Sequence, residues 1–160
     1  MQSGFVSGIM AALDFGLGRL KDAIRDLTPQ QLAAVPAGDS FKNSIATLVV
    51  HLAGTEVSFA YRFRGEAVPA DLKAEFLLDK PHKPALPAPE GETAESLIAK
   101  LEKGRAILTE AAAKLTDADL DREFQGPGGR QMTLRTLLAI LPQHQGQHFG
   151  HIQYLKRMVG

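Results

Sequence analysis

Cysteine is absent from the 160 residues. That absence excludes disulfides, thiolate zinc knuckles and a cysteine nucleophile, and it is compatible with a reducing cytoplasm. An excess of one charge is missing too, because Lys+Arg and Asp+Glu both number 18. With no basic surplus to displace counterions from phosphates, a sequence-independent nucleic-acid binder is disfavoured. No apolar run approaches the roughly 18–20 residues that span a bilayer. Gly4, Gly8 and Asp14 interrupt any signal-like pattern at the start. The glycines at 126, 128 and 129 are not followed by Gly-Lys-Ser/Thr, so a phosphate loop is disfavoured and ATP use with it. The expectation is a cytoplasmic protein with neither a membrane nor a nucleic-acid partner.

What is present is 44% hydrophobic residues, enough for one packed domain over 1–160. Val6, Ile9, Leu13, Leu17, Leu20, Ile24 and Leu27 recur at steps of three and four and predict a helix from about Ser3 to Leu27. Thr28-Pro29-Gln30-Gln31 has the form of a cap followed by proline at the first helical position, which starts a short helix ending before Pro36. Gly38-Asp39-Ser40 reads as a turn. A second long helix runs from about Asn43 to Gly65, with Ile45, Leu48, Leu52, Phe59 and Phe63 on its apolar face. His51 flanks that face, and Glu56 lies on its other side.

Composition changes between Glu66 and Gly91, where five of the nine prolines fall. Asp71 to Leu78 has the pattern of one or two helical turns, and the remainder is an extended connection containing an exposed His82. A connection of this length in a small domain is either functional or a crossover. Glu92 to Leu115 is a third helix, Thr116 to Asp119 a turn, and Phe124 to Met132 a small hairpin or tight loop. Thr133 caps a fourth helix reaching about Met158, with Pro142 inside it, where a proline removes one hydrogen bond and can kink the axis. Four long amphipathic helices with a long crossover between the second and third make an all-α four-helix bundle.

The fourth helix carries the unusual feature. His144, His148 and His151 stand at i, i+4 and i+7, beside the apolar stripe of Leu134, Leu137, Leu138, Leu141, Ile152 and Leu155. Each has an ordinary reading as a core-edge histidine satisfied by a carbonyl or water, and so has His51 on its own helix. Together they also fit a metal site, because His-x3-His on a helix aims two imidazoles at one point. A helical zinc protease would carry Glu after the first histidine, where this chain has Gln145. A di-iron bundle would need inward carboxylates that the first and third helices lack. In a bundle, His51 can meet His144 and His148 in the interior.

Three stretches extend the reading. Asp26 to Leu32, Asn43 to Glu56 and His144-Gln-Gly-Gln-His148-Phe-Gly-His151-Ile152 resemble, in helix order, the DinB/YfiT-like family of the DinB superfamily. The resemblance implies a four-helix bundle, often a homodimer, that holds one divalent metal ion, zinc or nickel, on His51, His144 and His148. His151 stands where the family usually has Gln, which leaves three roles for it: competing as a ligand, holding a ligand imidazole from behind, or hydrogen-bonding across the bundle. Glu56 follows the first histidine as a candidate to orient an imidazole. Relatives that use low-molecular-weight thiols imply a metal-dependent, thiol-dependent S-transferase acting on a small-molecule substrate. A metal-dependent hydrolase, and a noncatalytic stress-associated bundle binding a metal or small ligand, are the competing readings.

Overall fold

The computed structural model describes residues 3–38, 42–83, 85–126 and 129–160. Of the expected turn at Gly38-Asp39-Ser40, the last two residues lie outside the described ones, as do Pro84 and the Pro127-Gly128 tip of the expected hairpin. The elements in order are α1 (Gly4–Ile24), α2 (Pro29–Ala33), α3 (Ile45–Arg64), α4 (Ala70–Glu75), α5 (Ala94–Ala112), a 3-10 turn (Asp117–Asp119), β1 (Glu123–Gln125), β2 (Gln131–Thr133) and α6 (Leu134–Val159). No described helix is long and apolar enough to cross a membrane.

Every long helix begins at a hydroxyl cap. Ser3, Ser44, Thr93 and Thr133 each accept from the backbone N–H three residues on, leaving one fewer orphan donor at each start. Thr28 and Gln31 form the reciprocal capping box expected of α2, with Pro29 at its first position. β1 and β2 pair antiparallel, Glu123 opposite Thr133 and Gln125 opposite Gln131, so the hairpin delivers the chain directly into the Thr133 cap of α6. The helix runs unbroken past Pro142.

The four long helices make an all-α four-helix bundle, but not the simple up-and-down kind. α3 packs on α5 and α6, and α1 packs on the same two, so the first two long helices stand across the bundle from each other. α3 is its centre. Fourteen of its 20 residues are buried, on all sides through Ile45–Val50, where α2 and α5 close over it. Two glycine-dependent contacts fix this packing. A Cβ at Gly104 of α5 would come within 2.8 Å of the Ala53 carbonyl oxygen of α3. One at Gly54 would meet Leu78 at 3.0 Å and the Phe76 carbonyl at 3.2 Å, so the chain after α4 lies directly on α3. The crossover is therefore a layer of the fold, with Phe76 fully buried and Leu77 held at φ 54° between its two neighbours.

The core has two halves. One gathers Leu20, Ile24, Leu48, Leu52, Leu97 and Leu155, and the other Leu13, Phe63, Leu108, Leu134, Leu137 and Leu141. Between them the helices contribute a polar level of buried Glu56 from α3, Arg105 from α5 and Gln145 from α6, with the exposed Asp14 of α1 pairing with Arg105 from the surface. The histidines adjoin this level on the side where α3 meets α6.

Candidate metal centre

His51 reaches the site from the middle of α3, and His144 and His148 from two successive turns of α6 just after Pro142. The Nε2 atom of His144 lies 3.1 Å from Nε2 of His51 and 3.1 Å from Nε2 of His148. Ring centroids are 4.5 to 5.1 Å apart and the rings stand edge to face. All three rings are half-buried, and burial drives them toward the neutral form. The pKa of His51 is pushed down to about 3, first by burial and then by His144, His148 and His82. That of His148 falls to about 4 through burial, His144 and His151, and that of His144 falls through burial.

Neutral imidazoles cannot hold this geometry by hydrogen bonds alone. A ring nitrogen either donates its single proton or accepts on its single lone pair. Nε2 of His144 has two neighbours at hydrogen-bond distance, so it can satisfy only one of them, and the other contact sets nitrogen against nitrogen without a proton aligned between them. An ion at the point of convergence removes the conflict. Two nitrogens each about 2.0–2.1 Å from a tetrahedral ion stand about 3.3 Å apart, close to the observed spacing. The donor set thus fits a divalent metal of borderline softness. His51, His144 and His148 form the one group of three or more metal-ligating side chains that converges among the described residues.

His151 lies one turn beyond His148 on α6 and outside that converging group, near enough to contribute to the lowered His148 pKa. Glu56 occupies a setting other than the imidazole-orienting one. Its two oxygens lie 2.6 and 2.9 Å from NH2 and Nε of Arg105, whose NH1 donates to Asp14 at 2.7 Å. Burial raises the Glu56 pKa and Arg105 pulls it back, while Arg105 is held above its usual range by its two carboxylate partners despite its own burial. The carboxylate is committed to the ion pair because α5, carrying Arg105, packs on that side of α3.

Two clefts open beside the histidines, sharing His51, Thr55 and Phe59 as a common wall. The larger, of about 840 Å³, runs between α3, α6 and the hairpin and adds Arg130, Met132 and His144. The smaller, of about 210 Å³, lies between α3 and the crossover. It is there that His82 appears. Its side is exposed as expected, yet its ring lies 6.2 Å from that of His51 and lines the smaller cleft. Nothing local in a Pro-rich stretch reveals where it folds back; the small residue Gly54, one turn after His51, marks where Phe76 and Leu78 of the same crossover lie against α3.

The DinB superfamily model matches residues 12–152, nearly the whole chain. The protein belongs to the DinB superfamily. Among solved structures, a conserved protein from Enterococcus faecalis superposes with a TM-score of 0.74 at 17% identity, over 99% of this chain and 98% of that one. YfiT from Bacillus subtilis, described as a probable metal-dependent hydrolase with an unusual four-helix bundle topology, superposes with a TM-score of 0.70 at 24% identity, over 95% of this chain and 86% of YfiT. At these identities the two structures bear on fold alone. No curated protein is significantly similar in sequence.

Proposed function

We propose that this DinB superfamily protein is a metal-dependent enzyme. Its His51, His144 and His148 hold one divalent ion, zinc or nickel, and it transfers a low-molecular-weight thiol to a small electrophilic substrate. The observation that carries the reading is the convergence of three imidazoles, with His144 Nε2 3.1 Å from Nε2 of both His51 and His148, on a site flanked by open clefts. Three protein ligands leave a coordination position for a reactant, which is the layout of catalytic sites. A divalent ion there supplies positive charge that lowers the pKa of an approaching thiol or water and polarises a carbonyl.

The protein's own residues favour thiol over water as the nucleophile. No carboxylate lines either cleft among the described residues, and Glu56 is engaged by Arg105. Water activation gains from a base beside the ion. A thiol, with an ordinary pKa near 8.5, ionises beside a divalent cation without one. Phe59, Met132, Ile140 and Leu141 give the larger cleft an apolar wall that suits the body of an organic substrate. The second reading, metal-dependent hydrolysis, draws on the description of YfiT.

The deciding experiment begins with tag-free protein and plasma mass spectrometry of its metal, followed by cobalt substitution. Thiol transfer expects about one ion per chain and a shift of the cobalt absorption bands on adding a low-molecular-weight thiol. Turnover of an activated ester without thiol, and no spectral shift with it, would transfer the assignment to the hydrolase. Absence of metal after incubation with zinc, nickel and manganese would remove both. Light scattering on the same preparation tests the expected homodimer.

A further inference from the structure

We infer that the larger cleft selects substrates carrying a carboxylate, with Arg130 as the residue that recognises it; this deepens the proposed function by naming a substrate class for the same site. Arg130 comes from the hairpin, immediately before β2, and is exposed at the cleft that His51 and His144 also line. It is the only charged side chain on that wall among the described residues. Among the described residues its guanidinium has no carboxylate partner, whereas Arg62, Arg64, Arg122 and Arg135 of the neighbouring segments are each held by a hydrogen bond or ion pair. An arginine fork left without a partner beside an apolar cleft matches a planar anion in two parallel hydrogen bonds.

The rest of the wall narrows the class. Phe59, Met132, Ile140 and Leu141 line the same cleft as the arginine and the histidines with apolar surface, and Gln143 adds one neutral amide. The cleft volume is in the range of small-molecule sites. Arg130 supplies one positive charge at its own end of the cleft, and its planar fork matches the two oxygens of a carboxylate there. The favoured ligand has an apolar body and a single carboxylate, its body lying toward the histidines.

The test uses the full-length protein treated with a chelator, so that a carboxylate cannot bind through a metal ion. Calorimetric titration compares 4-phenylbutyrate with its uncharged amide. The acid is expected to bind roughly ten-fold tighter than the amide. Arg130→Gln brings the acid down to the level of the amide, Arg130→Lys keeps part of the difference, and Met132→Ala weakens both ligands alike. Equal binding of acid and amide to the wild type, binding of neither, or an intact preference in Arg130→Gln would each overturn the assignment. Circular dichroism melting of Arg130→Gln, expected to match the wild type, separates loss of recognition from loss of fold. Because no metal is present, this result stands apart from the metal analysis: a protein without a metal site can still pass it, and a metalloenzyme can still fail it.

Discussion

At one end of the polar layer Arg105 gives two guanidinium nitrogens to Glu56 and a third to Asp14. At the other, His51, His144 and His148 turn three nitrogens toward one point with at most one proton usefully shared at the central atom. Both clusters are seated on α3, five residues apart, and both interrupt an apolar core. The first is closed: Arg105 neutralises the buried Glu56, and all three of its guanidinium nitrogens donate, the third to the exposed Asp14. The second is open, because its ring nitrogens converge and, among the described residues, no donor or cation meets them at that point. Buried polar groups that satisfy one another specify packing, whereas buried groups that leave one another unsatisfied point to a ligand.

The largest expected effect breaks the open end. His51→Ala, His144→Ala and His148→Ala should each reduce bound metal from about one ion per chain to below about a tenth, read by plasma mass spectrometry, because two ligands hold a divalent ion poorly. His151→Ala, outside the converging group, should retain most of it. Equal loss from all four substitutions would show that the ligand set is drawn wrongly. Melting of the metal-free His148→Ala protein should stay within a few degrees of the metal-free wild type.

Next in size is the closed end. Arg105→Met leaves Glu56 buried with no counter-charge, a change that costs about 3–5 kcal/mol in comparable pairs. Denaturant titration should show that loss, and the double substitution Glu56→Leu with Arg105→Met should recover most of it. Metal bound per folded chain should not change. If Arg105→Met also emptied the histidine site at temperatures where the protein stays folded, the two ends would be one functional unit. Gly104→Ala tests the packing between them. The new methyl meets the Ala53 carbonyl oxygen, and overpacking of this kind costs about 1–3 kcal/mol, offset in part by alanine's better helix propensity. A net loss of about 1–2 kcal/mol is expected by thermal denaturation.

The sequence made the bundle legible because its helices carry their own signals: stepwise apolar residues, the Thr28 and Thr133 caps, and the Pro-rich break after Gly65. The i, i+4 spacing of His144 and His148 marked half of the site for the same local reason. What stayed hidden was non-local. Whether α3 would face α6 instead of α1 depends on connection geometry, which periodicity does not encode. Glu56 looked like a partner for an imidazole because Arg105, 49 positions away, gives no sign in sequence that it will face the same side of α3. His82 and Arg130 come from a crossover and a hairpin whose positions follow only from the packed structure.

The smallest effect separates the two ends by proton linkage. The unfolded protein takes up protons on its histidines near pH 6.5, while burial keeps folded His51 neutral down to about 3 and His148 to about 4. Between those values the unfolded state binds more protons, so the metal-free protein should lose stability as pH falls below about 6.5. Each histidine contributes at most about 1.4 kcal/mol per pH unit, less for its partial exposure. Replacing His51 by Asn removes one such group. The mutant should therefore lose about 1 kcal/mol less than the wild type between pH 7 and pH 5.5, measured by urea titration after chelation. The double substitution Glu56→Leu with Arg105→Met, which removes the ion pair without leaving a buried carboxyl whose pKa burial raises, should leave the same slope unchanged. A slope altered by that double substitution but not by His51→Asn would mean that the acid sensitivity of the fold belongs to the closed end, and that the imidazoles are less shielded than their burial implies.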